Sequence, residues 1–123
     1  MSRDNAYLRD ILNAAQAIRR FVVGVSKEEF LADEEKYEAV NRKFEIIGEA
    51  TKRLSPEARA RFPGIPWQLV AGLRDVLILD YDEVNLNVVW DAAMDSLPPL
   101  ISQLESYLAA HPLPESNGPP ADV

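Results

Sequence analysis

The chain is expected to fold as an all-α, up-and-down bundle of four to five helices with a kinked last helix. Three observations predict this. Apolar residues recur at spacings of three and four through every long segment, no segment alternates with period two, and helix-start and helix-stop residues punctuate the chain at short intervals. Such stripes must be buried against one another, and stacked helices are the arrangement that does so without a sheet.

The first helix is expected from about Asp4 to Val23. Leu8, Ile11, Leu12, Ala15, Ile18, Phe21 and Val22 form one wide apolar stripe, and Gly24 ends it. Ser26-Lys27-Glu28-Glu29 has the form of a capping box and opens a short helix carrying Phe30 and Leu31. A second long helix follows from about Glu34 to Leu54, with Tyr37, Val40, Phe44, Ile47, Thr51 and Leu54 facing inward. Gly48 sits in its middle, at a cost of up to ~1 kcal/mol relative to Ala, which a close helix approach would explain. Ser55-Pro56-Glu57 supplies a cap with Pro at the first helical position and starts one or two turns ending near Phe62.

Pro63-Gly64-Ile65-Pro66 reads as a turn into a third main helix, about Pro66 to Leu79, buried along Trp67, Val70, Ala71, Leu73, Leu77 and Ile78. Asp80-Tyr81-Asp82-Glu83 breaks that pattern. Asn85 can cap a last helix from about Leu86 to Ala110, with Val88, Val89, Ala92, Ala93, Leu97, Leu100, Ile101, Leu104 and Leu108 inside. Pro98-Pro99 must kink or interrupt it, since Pro99 removes a backbone hydrogen bond and crowds the preceding turn. Residues 1–110 are therefore expected to form one domain, and the Pro-rich residues 111–123 a disordered tail.

Composition narrows the function classes. Hydrophobic residues make up 47% and charged residues 27% of the 123 positions, as in an ordinary globular domain. No apolar run approaches the ~20 residues that span a bilayer, and Met1-Ser2-Arg3-Asp4-Asn5 lacks the apolar core of a signal peptide; a cytoplasmic protein is expected. With no Cys, disulfides and thiolate metal sites are excluded, and the single His, His111, lies in the Pro-rich tail, which speaks against a His-based metal site or Ser-His-Asp machinery. No cofactor and no metal are expected; the acidic pairs Asp80/Asp82 and Asp91/Asp95 are of a kind common on loops and helix faces. A net charge of −7 speaks against a generic nucleic-acid binder, yet residues 41–74 hold seven Lys/Arg against three Glu. The remainder holds six basic and seventeen acidic residues, with no Lys or Arg after Arg74. The basic zone is either a solvated helix face or a seat for a polyanion.

The residues best equipped for chemistry lie in Gly72-Leu73-Arg74-Asp75-Val76-Leu77-Ile78-Leu79-Asp80-Tyr81. Arg74 borders the buried stripe of its helix, one turn from Val70 and Ile78. A guanidinium is a planar, permanently charged fork suited to phosphate. An ion pair with Asp75 or Asp80 would account for Arg74 equally well.

The chain resembles the HepT-like branch of the HEPN superfamily, small helical ribonuclease toxins, collinearly over roughly residues 3 to 105. The resemblance rests on Tyr7-Leu8-x-Asp10-Ile11-Leu12, the Phe30 segment, Ile47-Gly48-Glu49-Ala50-x-Lys52 and Pro63-x-Ile65-Pro66-Trp67. It continues through Gly72-x-Arg74-Asp75-x-Leu77-Ile78-x-Asp80-Tyr81 and Val88-Val89-Trp90. It implies a homodimer with a metal-independent RNA-cleaving site at the interface, the toxin of a type VII HEPN/MNT toxin–antitoxin system. The family motif is Arg, a polar residue, three positions, His, one residue, Tyr. Arg74, Asp75 and Tyr81 match it, whereas Leu79 stands where the family has His. The basic residues of 41–74, Lys52, Arg53 and Arg74 among them, are expected to help hold RNA at the interface site, and the resemblance further implies that an MNT-type nucleotidyltransferase antitoxin attaches AMP to Tyr81. Leu79 can neither take nor give a proton, and loss of a general acid–base typically costs about 10²–10⁴-fold in rate, so cleavage is expected to be impaired.

Two other readings fit the same residues. One is a non-catalytic helical interaction module that binds a nucleotidyltransferase. The other is a nucleotide-binding helper subunit using Arg74 for a mononucleotide.

Overall fold

In a computed structural model, residues 3–72 and 86–111 are described. They form a helical bundle, with no strand among them. In chain order the helices are α1 (Asp4–Val22), α2 (Lys27–Ala32), α3 (Glu34–Lys52), α4 (Pro56–Ala60), α5 (described over 67–72), α6 (Leu86–Asp91) and α7 (Leu97–Ala110). A π-helical segment, Ala92–Ser96, joins α6 to α7.

The long helix α1 is the centre of the bundle, packed along both α3 and α7. Its stripe is wide enough for two neighbours because Ala14 and Ala17 are buried beside Leu8, Ile11, Ile18 and Val22. Opposite it, Val40, Phe44, Ile47, Gly48 and Thr51 form the buried face of α3. Thr51 is buried without penalty because its hydroxyl donates to the Ile47 carbonyl at 2.7 Å. Tyr37, expected on the inward face, is half-buried and meets the ring of Phe30 edge-on.

The start and stop signals operate as their chemistry requires. Gly24 has φ +74, the left-handed turn that lets the chain leave α1. Ser26 and Glu29 form the complete capping box: the Ser26 hydroxyl accepts from the Glu29 N–H at 3.1 Å, and Glu29 accepts from the Ser26 N–H at 2.9 Å. Asp33 and Ser55 cap α3 and α4 with the side chain alone, accepting from the Lys36 N–H at 3.0 Å and the Ala58 N–H at 3.1 Å. Two helix ends are closed by distant cations. Lys36 donates to the Phe21 carbonyl at 2.9 Å, and Arg59 to the Thr51 carbonyl at 2.9 Å. Asp4, nearly buried, accepts from both the backbone N–H (2.9 Å) and the hydroxyl (2.6 Å) of Ser55, locking the start of α1 to the start of α4.

The effect of Pro98-Pro99 differs from a break in mid-helix. Both prolines fall in the first turn of α7, and the adjustment is made just before them, where the Leu97 N–H reaches the Ala92 carbonyl in an i to i−5 bond. Asp91, Ser96 and Leu97 all keep right-handed helical angles, so the chain stays helical from Leu86 to Ala110. The widened turn makes room for rings that would collide with the carbonyls of a regular α-helix. One expected core residue is corrected here. Val88 is exposed, because Val89, Ala93 and Leu97 carry the inward line at intervals of four, and Val88 lies about 100° around the helix from it.

Candidate functional site

Arg74, Asp75, Leu79 and Tyr81 lie outside the described residues, as do Asn85 and the expected tail from Pro112. What is described is how the chain is held on either side of 73–85. On the entering side, Trp67 is buried and its indole N–H donates to the Arg59 carbonyl at 3.0 Å. Phe62 touches Trp67 edge-on at 6.1 Å and Tyr107 of α7 edge-on at 5.3 Å, which ties the 61–67 turn to the last helix. On the leaving side, Val89 is fully buried and Trp90 packs on Phe30 at 5.2 Å, fixing α6 against α2. Both ends of the Arg74 segment are thus anchored by aromatic contacts from separate parts of the bundle.

The structure brings together two motifs that stand about forty residues apart in sequence. Tyr7 and Asp10 of α1 and Glu49 of α3 line one cleft of about 450 Å3, together with Arg42, Glu45 and Arg53. Arg53 meets Glu49 at 3.2 Å, and Arg42 meets Glu45 at 3.2 Å. Hydrogen bonding to Glu49 and Tyr7 raises the Arg53 guanidinium above its ordinary value, keeping it firmly cationic. Partial burial pushes the Asp10 carboxyl up, since the cleft wall removes water from its charged form. The cleft is therefore a mixed-charge surface in which both arginines already face carboxylates. Sequence reading singled out Tyr7, Asp10, Glu49 and Arg53; it counted Arg42 and Glu45 only in the charge balance of residues 41–74, and their i,i+3 spacing is the local signal for the pair.

Lys52 and Arg53 are both exposed at the C-terminal end of α3, where the helix dipole favours cations. Among the described residues no group of three or more His, Cys, Asp or Glu could hold a metal ion, and no helix is long and apolar enough to cross a membrane.

The described residues place the chain in the class of small all-α bundles. The comparison with known families makes the class specific. The family model described as ribonuclease HepT-like matches residues 11–107. A protein provisionally named as an RNase in Caldanaerobacter subterraneus subsp. tengcongensis is 36% identical over 108 residues, covering 88% of this chain and 96% of that protein. Another provisionally named RNase, from Methanocaldococcus jannaschii, is 36% identical over 84% of this chain and 85% of its own length. A "Probable ribonuclease HepT" of Thermococcus cleftensis is 37% identical over 80% and 90% of the two chains. No solved structure matches the chain. The chain belongs to the HepT-like ribonuclease family of the HEPN superfamily.

Proposed function

We propose that the chain is the ribonuclease-fold toxin of a type VII HEPN/MNT toxin–antitoxin pair, acting on RNA as a homodimer with Arg74 and Asp75 at a cleft between protomers. The observation that carries this reading is the family match over residues 11–107, which spans the Arg74-to-Tyr81 motif. In such a site the RNA 2′-hydroxyl attacks the adjacent phosphate. The 2′-oxygen–phosphorus bond forms as the bond to the 5′-oxygen breaks, giving a cyclic phosphate and a free 5′-hydroxyl. One proton leaves the 2′-oxygen and one reaches the 5′-oxygen, and the pentavalent phosphorus needs a fixed cation, the role assigned to Arg74. No metal enters these steps. Leu79 supplies no proton carrier, so this chain is an impaired enzyme that retains the RNA-binding surface, with Lys52 and Arg53 contributing cations beside Arg74. Tyr81 is the acceptor for AMP delivered by an MNT-type nucleotidyltransferase antitoxin.

Leu79 also favours a second reading, a non-catalytic module whose work is to bind the nucleotidyltransferase. Salt titration of RNA binding separates the two. An RNA groove loses affinity steeply with salt, with a log–log slope of about −0.7 for each single-strand phosphate contacted. Arg74→Ala is expected to flatten that slope by roughly one contact. A chain with no RNA affinity at moderate salt and tight nucleotidyltransferase binding would establish the second reading instead.

A further inference from the structure

On the side of the bundle away from the α1–α3 cleft, a groove of about 690 Å3 runs between the 64–72 segment and the α6–α7 helix. Its volume falls within the roughly 300–1,000 Å3 typical of ligand-accepting clefts. The floor is apolar, built from Phe44, Ile47, Ile65, Val70, Leu97 and Leu100. Leu69 stands on one wall at 73% exposure and Val88 on the other at 44%. A leucine that exposed beside an apolar floor forgoes most of the about 1.5–3 kcal/mol that full burial of its side chain would contribute.

The described lining of the groove carries charge of one sign. Asp91 and Asp95 stand exposed on its wall, and no Lys or Arg is among its described lining residues. The sequence explains why: α6 and α7 fall entirely after Arg74, the last basic residue of the chain. This contrasts with the α1–α3 cleft, where every acid but Asp10 faces an arginine. The π-helical turn at Ala92–Ser96 presents Asp91, Asp95 and Ser96 to the groove along one widened stretch.

We propose that this groove is the docking site for a basic amphipathic helix presented by a partner protein. An apolar helix face would cover Leu69 and the floor, and its flanking Lys or Arg would meet Asp91 and Asp95. The acidic wall disfavours RNA at this face. It also disfavours a second copy of this chain seated groove to groove, since that would bring two acidic walls into one interface. The inference holds whether or not the chain cleaves RNA.

The test uses the full chain and a labelled Leu/Lys peptide of about five helical turns patterned with one apolar face, with a Leu/Glu peptide of the same pattern as its opposite. Anisotropy is expected to show the Leu/Lys peptide binding at least about tenfold more tightly than the Leu/Glu peptide. Leu69→Glu, and separately Asp91→Lys with Asp95→Lys, are each expected to weaken it by about tenfold or more. Glu34→Lys with Glu38→Lys makes the same change in net charge at two exposed positions of α3 and is expected to leave binding unchanged. Absence of Leu/Lys binding would overturn the proposal. Equal losses in the two charge-reversed variants would do so as well, by showing only attraction to an acidic chain. So would sedimentation in which Leu69→Glu turns a dimer into a monomer, because the groove would then be a self-interface.

Discussion

The α1–α3 cleft and the α5–α7 groove lie on the same small bundle and answer charge in opposite ways. In the cleft, Arg42 and Arg53 are matched to Glu45 and Glu49, and the surface is polar and internally balanced. In the groove, Asp91 and Asp95 have no cation beside them among the described lining residues, and the floor is hydrocarbon. A surface whose arginines are already paired gains less from a partner's charge than one whose charges face water. A surface that leaves one sign on the rim of an apolar floor offers both attraction and burial. The difference separates the two faces: the ion pairs of the cleft lie along α3 and answer one another, and the groove is the face proposed to take a partner helix.

Mutations can break that contrast or sharpen it, starting with the largest effect. Phe30→Ala removes a fully buried ring that joins Tyr37 of α3 to Trp90 of α6. It is expected to cost about 3–5 kcal/mol in denaturant unfolding and to loosen the groove wall together with α6. A loss well under 1 kcal/mol would show that α6 is not anchored through Phe30. Next is Ser55→Ala, which removes the hydroxyl that donates to the Asp4 carboxylate and, with it, the cap of α4. About 1–3 kcal/mol is expected from the combined loss of a charge-assisted hydrogen bond and a cap.

A smaller and pH-dependent effect belongs to the cleft. Because burial raises the folded-state value of Asp10 above 3.8, the folded chain holds this proton more tightly than the unfolded chain. Asp10 therefore lowers stability as pH rises from about 3.8 through its raised folded value, and the penalty is complete above that. Asp10→Asn is expected to raise the unfolding midpoint slightly at pH 7, with the gain vanishing below pH 3.8; a gain that persisted in acid would place its cause elsewhere. Smallest of all is Arg53→Gln. Its pair with Glu49 is open to solvent, so thermal unfolding is expected to be unchanged, and any effect should appear only in RNA binding.

Much of the fold was readable because it rests on local rules. The stripes of α1 and α3, the Ser26–Glu29 box and the Ser55-Pro56 start all depend on residues within a few positions of one another. The π-helical turn was not readable. Pro98-Pro99 announces a disturbance, but where it is absorbed depends on which turn can widen without disturbing the packing of Ala93 and Leu97. The Asp4–Ser55 lock and the cation caps from Lys36 and Arg59 are tertiary, and no spacing rule predicts them. Leu69 did carry a signal: it falls off the line of Trp67, Val70 and Ala71, and an apolar residue off the stripe points to a second apolar surface. Of the candidate site, the convergence of Tyr7, Asp10 and Glu49 is now geometric, while Arg74, Asp75, Leu79 and Tyr81 rest on the family motif.

The central claim is that this chain is a HepT-like ribonuclease lacking its proton carrier at Leu79. It is tested most directly by comparing RNA cleavage by the chain and by Leu79→His at matched folding and oligomeric state. Cleavage is expected to rise about 10²–10⁴-fold in the variant, to depend on pH near neutrality where imidazole titrates, and to disappear again when Arg74→Ala is added. A Leu79→His protein as inert as its parent, or one whose activity survives Arg74→Ala, would contradict the account.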